Sequence, residues 1–222
     1  MLKKIAKKLQ VVTGVCHTVD PSRFRDPLAM ETEWTPAVSG GASFGTHKLV
    51  KVGSDRMEFR ATGGARLFSF AFILIGAGVL IGFLVAGMST GGMAFNPGAI
   101  LPAGLGLVFI CLGVYLLHQG TIPIVFDRRL GFFWKGREAP NEVVDWKNIK
   151  CCAKMDNIHA LQLIFEYCRG NKSSYYSYEL NLVLKDGRRI NVVDHGNRNR
   201  LKEDAAMLSG FLEKPVWDAI TV

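Results

Sequence analysis

Between Leu67 and Phe126 the chain holds no Asp, Glu, Lys or Arg, with Arg66 closing the run at one end and Asp127 at the other. One helical crossing of a bilayer takes roughly 20 apolar residues, because the hydrocarbon core is roughly 30 Å thick. The run of 60 residues is long enough for two crossings and the turn between them, and MSTGGMAFNPG, residues 88–98, punctuates its middle. The pattern predicts a membrane α-helical hairpin over 67–119, with one span over 67–87, an uncharged turn, and a second span over 99–119. Pro102 falls in the first turn of the second span, where its missing N–H costs little.

After the second span the period changes from helix to strand. Apolar and aromatic content predicts strands over 122–127, 132–135, 149–154, 161–168, 178–184 and 189–193. Asp186-Gly187 marks a hairpin turn, and NKSSYYS, 171–177, reads as an exposed loop. Leu201, Ala205, Leu208 and Leu212 form the apolar face of a helix over 197–213. Asp194 or Asn197 caps that helix and Pro215 ends it. The region 120–222 is thus an α+β domain of about 100 residues, enough for its own core.

Ahead of the spans, 47–66 carries a β-hairpin: HKLVKVGSDRMEFR reads as two short strands around a Gly-Ser-Asp turn. A lone hairpin is marginal in water, so it is expected to pair with or pack on the C-terminal domain. Within the arm 1–46, residues 20–46 read as irregular, punctuated by Pro21, Pro27, Pro36, Gly40, Gly41 and Gly45. Trp34 and Phe44 are expected to pin this stretch to another surface. At the start, Leu2, Ile5, Ala6 and Leu9 share one helical face and Lys3, Lys4, Lys7 and Lys8 the other. Such a helix suits an anionic headgroup layer, the alternative being a solvated or locally packed helix.

Composition adds orientation. The formal net charge is +8, and the mean hydropathy of +0.17 averages two unlike parts. Arg56, Arg60 and Arg66 precede the first span, and Arg128, Arg129, Lys135 and Arg137 follow the second. Lys and Arg are retained on the cytoplasmic side, which predicts a multi-pass protein with both termini cytoplasmic. Lys3, Lys4, Lys7, Lys8, Arg66, Arg128 and Arg129 are the candidate contacts to the membrane surface. No cleavable signal sequence is evident in 2–15, so the hairpin itself is the expected insertion signal. Five cysteines without framework spacing (Cys16, Cys111, Cys151, Cys152, Cys168) read as reduced thiols in a cytosolic compartment.

Candidate chemistry is sparse. Gly78, Gly82 and Ala86 make a small-xxx-small stripe, for packing the first span on the second or on another copy or partner span. No acidic or basic residue sits mid-membrane, His118 lying at the cytoplasmic end of the second span, which argues against a transporter. Cys151, Cys152, His159 and Cys168 lack the separated ligand pairs of a zinc site and read as core residues, so no metal is expected. The Gly-rich stretch lacks the Gly-Lys-Ser/Thr ending of a phosphate loop. Asp194 and His195 could form an acid/base pair, yet no motif supplies a nucleophile, and their place at a strand end suits capping. Arg188, Arg189, His195, Arg198 and Arg200 form a candidate ligand or partner patch, or else a solvated, membrane-facing basic surface. Nucleic acid is not expected, because no binding motif or interleaved stacking aromatics accompany the charge.

Several antiparallel strands followed by one amphipathic helix is the element order of a pleckstrin-homology (PH)-like domain. IVFDRRLGFFWKG after a two-helix hairpin, then YELNLVLKDGRRINVVDHG and a last helix ending PVWD, resembles bacterial two-span membrane proteins with a PH-like cytoplasmic domain of unassigned function. The resemblance covers about residues 122–218 and the spans. It implies a PH-like antiparallel barrel or sandwich capped by a C-terminal helix, at a bacterial inner (plasma) membrane. Fold alone does not give function. The expectation is a non-enzymatic interaction or adaptor module, accessory to a membrane complex, whose partners are the lipid bilayer and another membrane protein or itself. The alternative is an anionic-lipid-binding or lipid-sensing module. No cofactor and no specific small molecule is implied.

Overall fold

The structure is a computed structural model that describes residues 19–89, 97–140, 151–169 and 173–221. The basic helix expected around Lys3, Lys4, Lys7 and Lys8, and most of the expected turn between the spans, lie outside the described residues. The chain divides into two units, one formed by the residues before Ala61 together with those from Pro123 onward, the other being Ala61–Ile122.

The first unit is built on two sheets. Strands β1 (His47–Lys51), β2 (Arg56–Ala61), β3 (Ile124–Asp127), β4 (Phe132–Lys135) and β5 (Cys152–Lys154) form one sheet in that order. The hairpin that precedes the spans therefore belongs to the same sheet as the strands that follow them, with Phe59 opposite Ile124 and Arg56 opposite Asp127. The second sheet has the order β8 (Arg189–His195), β7 (Ser174–Leu184), β6 (Ile158–Arg169) and β9 (Val216–Asp218). β6, β7 and β8 are antiparallel neighbours, while β9 runs parallel to β6. These are two separate sheets, not one closed barrel, among the described residues.

One core joins the sheets. Phe59, Phe126 and Phe133 from the first sheet and Leu161, Leu163, Leu180 and Leu182 from the second are fully buried in it. Helix α4 (Arg198–Leu212) covers it with Leu201, Ala205, Leu208 and Phe211, residues at the spacing of a single helical face. Asn197 is the N-cap: its side chain accepts from the N–H of Arg200. Asp194 lies too far back along β8 to cap. Glu213 ends the helix in the left-handed region at φ 55°, two residues before Pro215.

The structure alters several boundaries. β7 begins at Ser174, inside the segment expected to be a loop, because Tyr175 to Ser177 continue the ladder opposite Glu166 to Cys168. Within the stretch expected to be irregular, a 3-10 turn, Pro21–Phe24, and a short helix α1, Pro27–Glu31, each start on a proline behind an Asp cap, Asp20 and Asp26.

The second unit is a pair of helices, α2 (Gly63–Ser89) and α3 (Pro97–Gly120), both long and apolar enough to cross a membrane. They pack through glycines. A Cβ at Gly76 would lie 2.5 Å from the Gly106 carbonyl oxygen, and one at Gly113 would lie 2.6 Å from Ile73 Cγ1. Phe72 stacks on Phe109 with centroids 5.9 Å apart. Gly78 and Gly82 have open space where a Cβ would go, so among the described residues these two glycines of the predicted stripe are not where the two helices meet. Pro102 sits inside α3, beyond its first turn, since the helix starts at Pro97.

Candidate functional site

Strand alternation gives the four-stranded sheet a polar outer face. Leu161, Leu163, Leu180 and Leu182 enter the core, so Gln162, Glu166, Ser177, Glu179 and Asn181 point the other way. A bulge opposite Leu180 and Asn181 interrupts the register of β8. Val192 and Val193 both reach the core, and Asn191 and Asp194 meet on the outer face, where Asn191 Nδ2 donates to Asp194 Oδ1 at 2.9 Å and to Glu179 Oε1 at 3.1 Å.

Residues 20–46 lie across this face as a strap. At one end, Phe24 stacks on Trp34 with centroids 4.9 Å apart, and both rings meet Trp217 of β9. Asp26 Oδ2 pairs with His159 Nε2 at 2.7 Å. Further along, Gln162 Nε2 donates to the Glu33 carbonyl and Arg189 Nη1 to the Thr35 carbonyl. The N–H of Ala37 lies 3.0 Å from both Glu179 oxygens, and Gly40 N–H donates to Glu166 Oε2 at 3.0 Å. Tyr175 donates its hydroxyl to the Gly41 carbonyl. At the far end Gly45 bridges His195, and Thr46 Oγ1 donates to the Asp194 carbonyl. Beyond α1 the strap has no further helix, and side chains of the sheet bond the backbone groups of Glu33, Thr35, Ala37, Gly40 and Gly41 in place of a ladder.

Beneath the strap, charges sit in a confined space. Burial pushes the Glu179 carboxyl up, against the lowering effect of its bond from Asn191. Burial likewise raises Asp194 and lowers Lys135, whose Nζ donates to Asn191 Oδ1 at 3.3 Å. His47 is lowered to about 4 by burial and by the neighbouring charges of Lys135 and His195. Sequence reading missed this group. Its signal in the sequence is the alternation in YELNLVL, which sets Glu179 and Asn181 on the face opposite Leu180 and Leu182.

The predicted ligand patch is divided by the fold. Arg188 is exposed and pairs with Asp186 at 2.7 Å in the β7–β8 turn. Arg189 is 9% exposed and committed to Thr35, Gln162 and Glu33. His195 is buried at the opposite end of β8, its Nδ1 2.9 Å from the N–H of Asn197. Arg198 and Arg200 start α4 beside it. Six residues of strand, about 20 Å, separate Arg189 from His195. Asp194 and His195 are successive strand residues, with Asp194 on the strap face, so they do not pair as acid and base.

Of the candidate membrane contacts, Arg66 is exposed in the first turn of α2. Arg128 bonds the Phe211 carbonyl, lies over the Phe211 ring and pairs with Glu213 at 3.4 Å. Arg129 follows in the β3–β4 turn. Cys152 on β5 and Cys168 near the end of β6 stand on different sheets, and His159 is taken by Asp26. Comparison with protein-family models, with curated proteins and with solved structures finds no match to this chain.

Proposed function

We propose that this protein is a membrane-anchored interaction module: a PH-like domain presented on the cytoplasmic face of a bacterial inner membrane by a two-span hairpin, accessory to a membrane protein complex. The carrying observation is how the chain enters and leaves its helices. β2 ends at Ala61 and α2 begins at Gly63, while α3 ends at Gly120 and β3 begins at Ile124. β2 and β3 are neighbours in one sheet. Two crossings that start and finish at adjacent strands support a hairpin with both ends on one side, as the basic flanks do. Linkers of one and three residues span at most about 10 Å, which supports the reading of a domain tethered close to the bilayer. Its function is then effective concentration: a partner in the same membrane meets the domain far more often than it would meet a free one. Two sheets around one core with a C-terminal helix support the PH-like reading, and sheet ends such as β1 and β5 offer edges to which a partner strand can add.

The test is the native mass of the full-length protein extracted in mild detergent from its own host at native abundance. A stoichiometric assembly with other polypeptides is the expected result. A lone monomer or dimer carrying only lipid would replace this reading with the anionic-lipid-binding one.

A further inference from the structure

The β6–β7 hairpin is far longer than the sheet it packs on. β6 and β7 have 12 and 11 residues, against 4 for β3 and β4. The overhang is at a defined end of the domain. The chain departs for α2 after Ala61 and returns from α3 to Ile124, which pairs with Lys135. Lys135 reaches Asn191 on β8, and the strap crosses to β1 beside His195, which lies opposite Tyr178 of β7. Phe165 pairs with Tyr178 at this level. The other end of the domain holds the β3–β4 turn, where Gly131 accepts from Met155 just ahead of β6. From Phe165 and Tyr178 the ladder continues through four more pairs, ending at Arg169 and Ser174. That is about 13 Å of hairpin projecting past the core at the end where the chain runs into its apolar helices.

The overhang is aromatic on the face continuous with the core. Tyr167 and Tyr176 are cross-strand partners with centroids 5.1 Å apart, and Tyr176 is 50% exposed. Tyrosine combines an apolar ring with a hydroxyl that must stay hydrated or bonded, and it concentrates where hydrocarbon meets water. Arg169 at the rim can extend its aliphatic stem along the same surface with its charge toward phosphates. A protein-binding patch has no need to sit at this end of the domain, whereas a lipid contact does. We infer that the outer half of the β6–β7 hairpin seats Tyr167 and Tyr176 in the headgroup layer of the bilayer that holds α2 and α3, giving the domain a third point of attachment beside its two linkers. This rests on the membrane-anchored reading above.

The experiment uses full-length protein in nanodiscs of phosphatidylcholine, with or without bromine on the upper acyl chain, and reads tryptophan quenching. Tyr176→Trp and Tyr167→Trp are compared with Lys154→Trp, on the edge strand at the opposite end, and with Leu84→Trp, on the exposed surface of α2. Bromine is expected to remove most of the emission added by Tyr176→Trp, Tyr167→Trp and Leu84→Trp, and little of that added by Lys154→Trp. Quenching of Leu84→Trp alone overturns the hairpin contact and leaves the membrane reading intact. Equal quenching of Lys154→Trp and Tyr176→Trp overturns it as well, by removing its direction. No quenching at any position overturns both readings.

Discussion

The backbone N–H of Ala37 lies midway between the two carboxylate oxygens of Glu179, 3.0 Å from each. Two segments 142 residues apart are thereby joined by a charge-assisted bond in a buried setting, the stronger kind of hydrogen bond. Glu179→Gln keeps the size and one acceptor but removes the charge that both Ala37 and Asn191 address. The strap should loosen at its middle, read as faster amide exchange and earlier proteolytic cleavage within 36–46. Unchanged protection there would show that the Trp34 and Gly45 ends hold the strap without it.

The strap also depends on glycine at one contact. A Cβ on Gly41 would overlap Ser177 Oγ and lie 3.5 Å from Asp194 Cβ. Gly41→Val should therefore cost about 1–3 kcal/mol, the usual range for overpacking, measured as a lower urea midpoint. Ser177→Gly opens the space and should restore part of the loss in the double variant. Gly41→Val with no loss would mean that the strap shifts aside freely.

His47 gives a pH dependence of definite sign. Its folded-state value is depressed to about 4 from an ordinary 6.5, by burial first and then by Lys135 and His195. A base held neutral in the fold contributes stability that is present above the unfolded value and is lost as pH falls from about 6.5 toward 4. Lys135 and His195 are the charges that act on it, both in the lowering direction, and the carboxylates of Asp194 and Glu179 are engaged by Asn191. His47→Gln should flatten the fall in the denaturation midpoint across that window. An identical fall in the variant would assign it to other groups.

Asp204 runs the other way. Burial raises its carboxyl to about 6, against the lowering bond from the Leu49 backbone. The contribution is present below the ordinary carboxylate value and lost as pH rises through about 6. Asp204→Asn keeps the acceptor without the charge. It should stabilise the domain at pH 8 by about 1–3 kcal/mol, the gain vanishing below about pH 4. Thermal melts at several pH values check it, and a gain that persists at low pH would point to packing instead.

What the sequence made legible follows physical range. The spans, the strands and α4 were readable because a period of 3.6 or 2 is local. Asn197 was readable as a cap because its partner, Arg200, is three residues away. The candidate site was not. Ala37 meets Glu179 and Gly45 meets His195 only after the strap has crossed a sheet formed from the far end of the chain. Arg188 and Arg189 look alike in sequence, yet Arg188 faces solvent in the turn and Arg189, the first residue of β8, is engaged by the Thr35 carbonyl on the strap face. The bulge that puts Asn191 and Asp194 on one face has no signature in RINVVD.

The helix pair shows the same limit and yields the sharpest contrast. Gly78 and Gly82 have the spacing that invites close approach, and so do other small residues in an apolar helix. The structure places the contact at Gly76, Gly106 and Gly113: a Cβ on Gly76 would also lie 2.8 Å from Ile110 N, and one on Gly106 would lie 2.9 Å from Leu80 Cγ. At Gly76 and Gly113 two of the three obstructing atoms are backbone, which cannot swing aside as a side-chain end can. Gly76→Val and Gly113→Val should each cost about 1–3 kcal/mol, read as a lower melting temperature of the helical signal in detergent. Gly78→Val and Gly82→Val meet nothing within 4 Å and should stay within about 0.5 kcal/mol of the parent. If the second pair proved the costly one while the native mass fell by half, that face would be closed by a second copy of the chain.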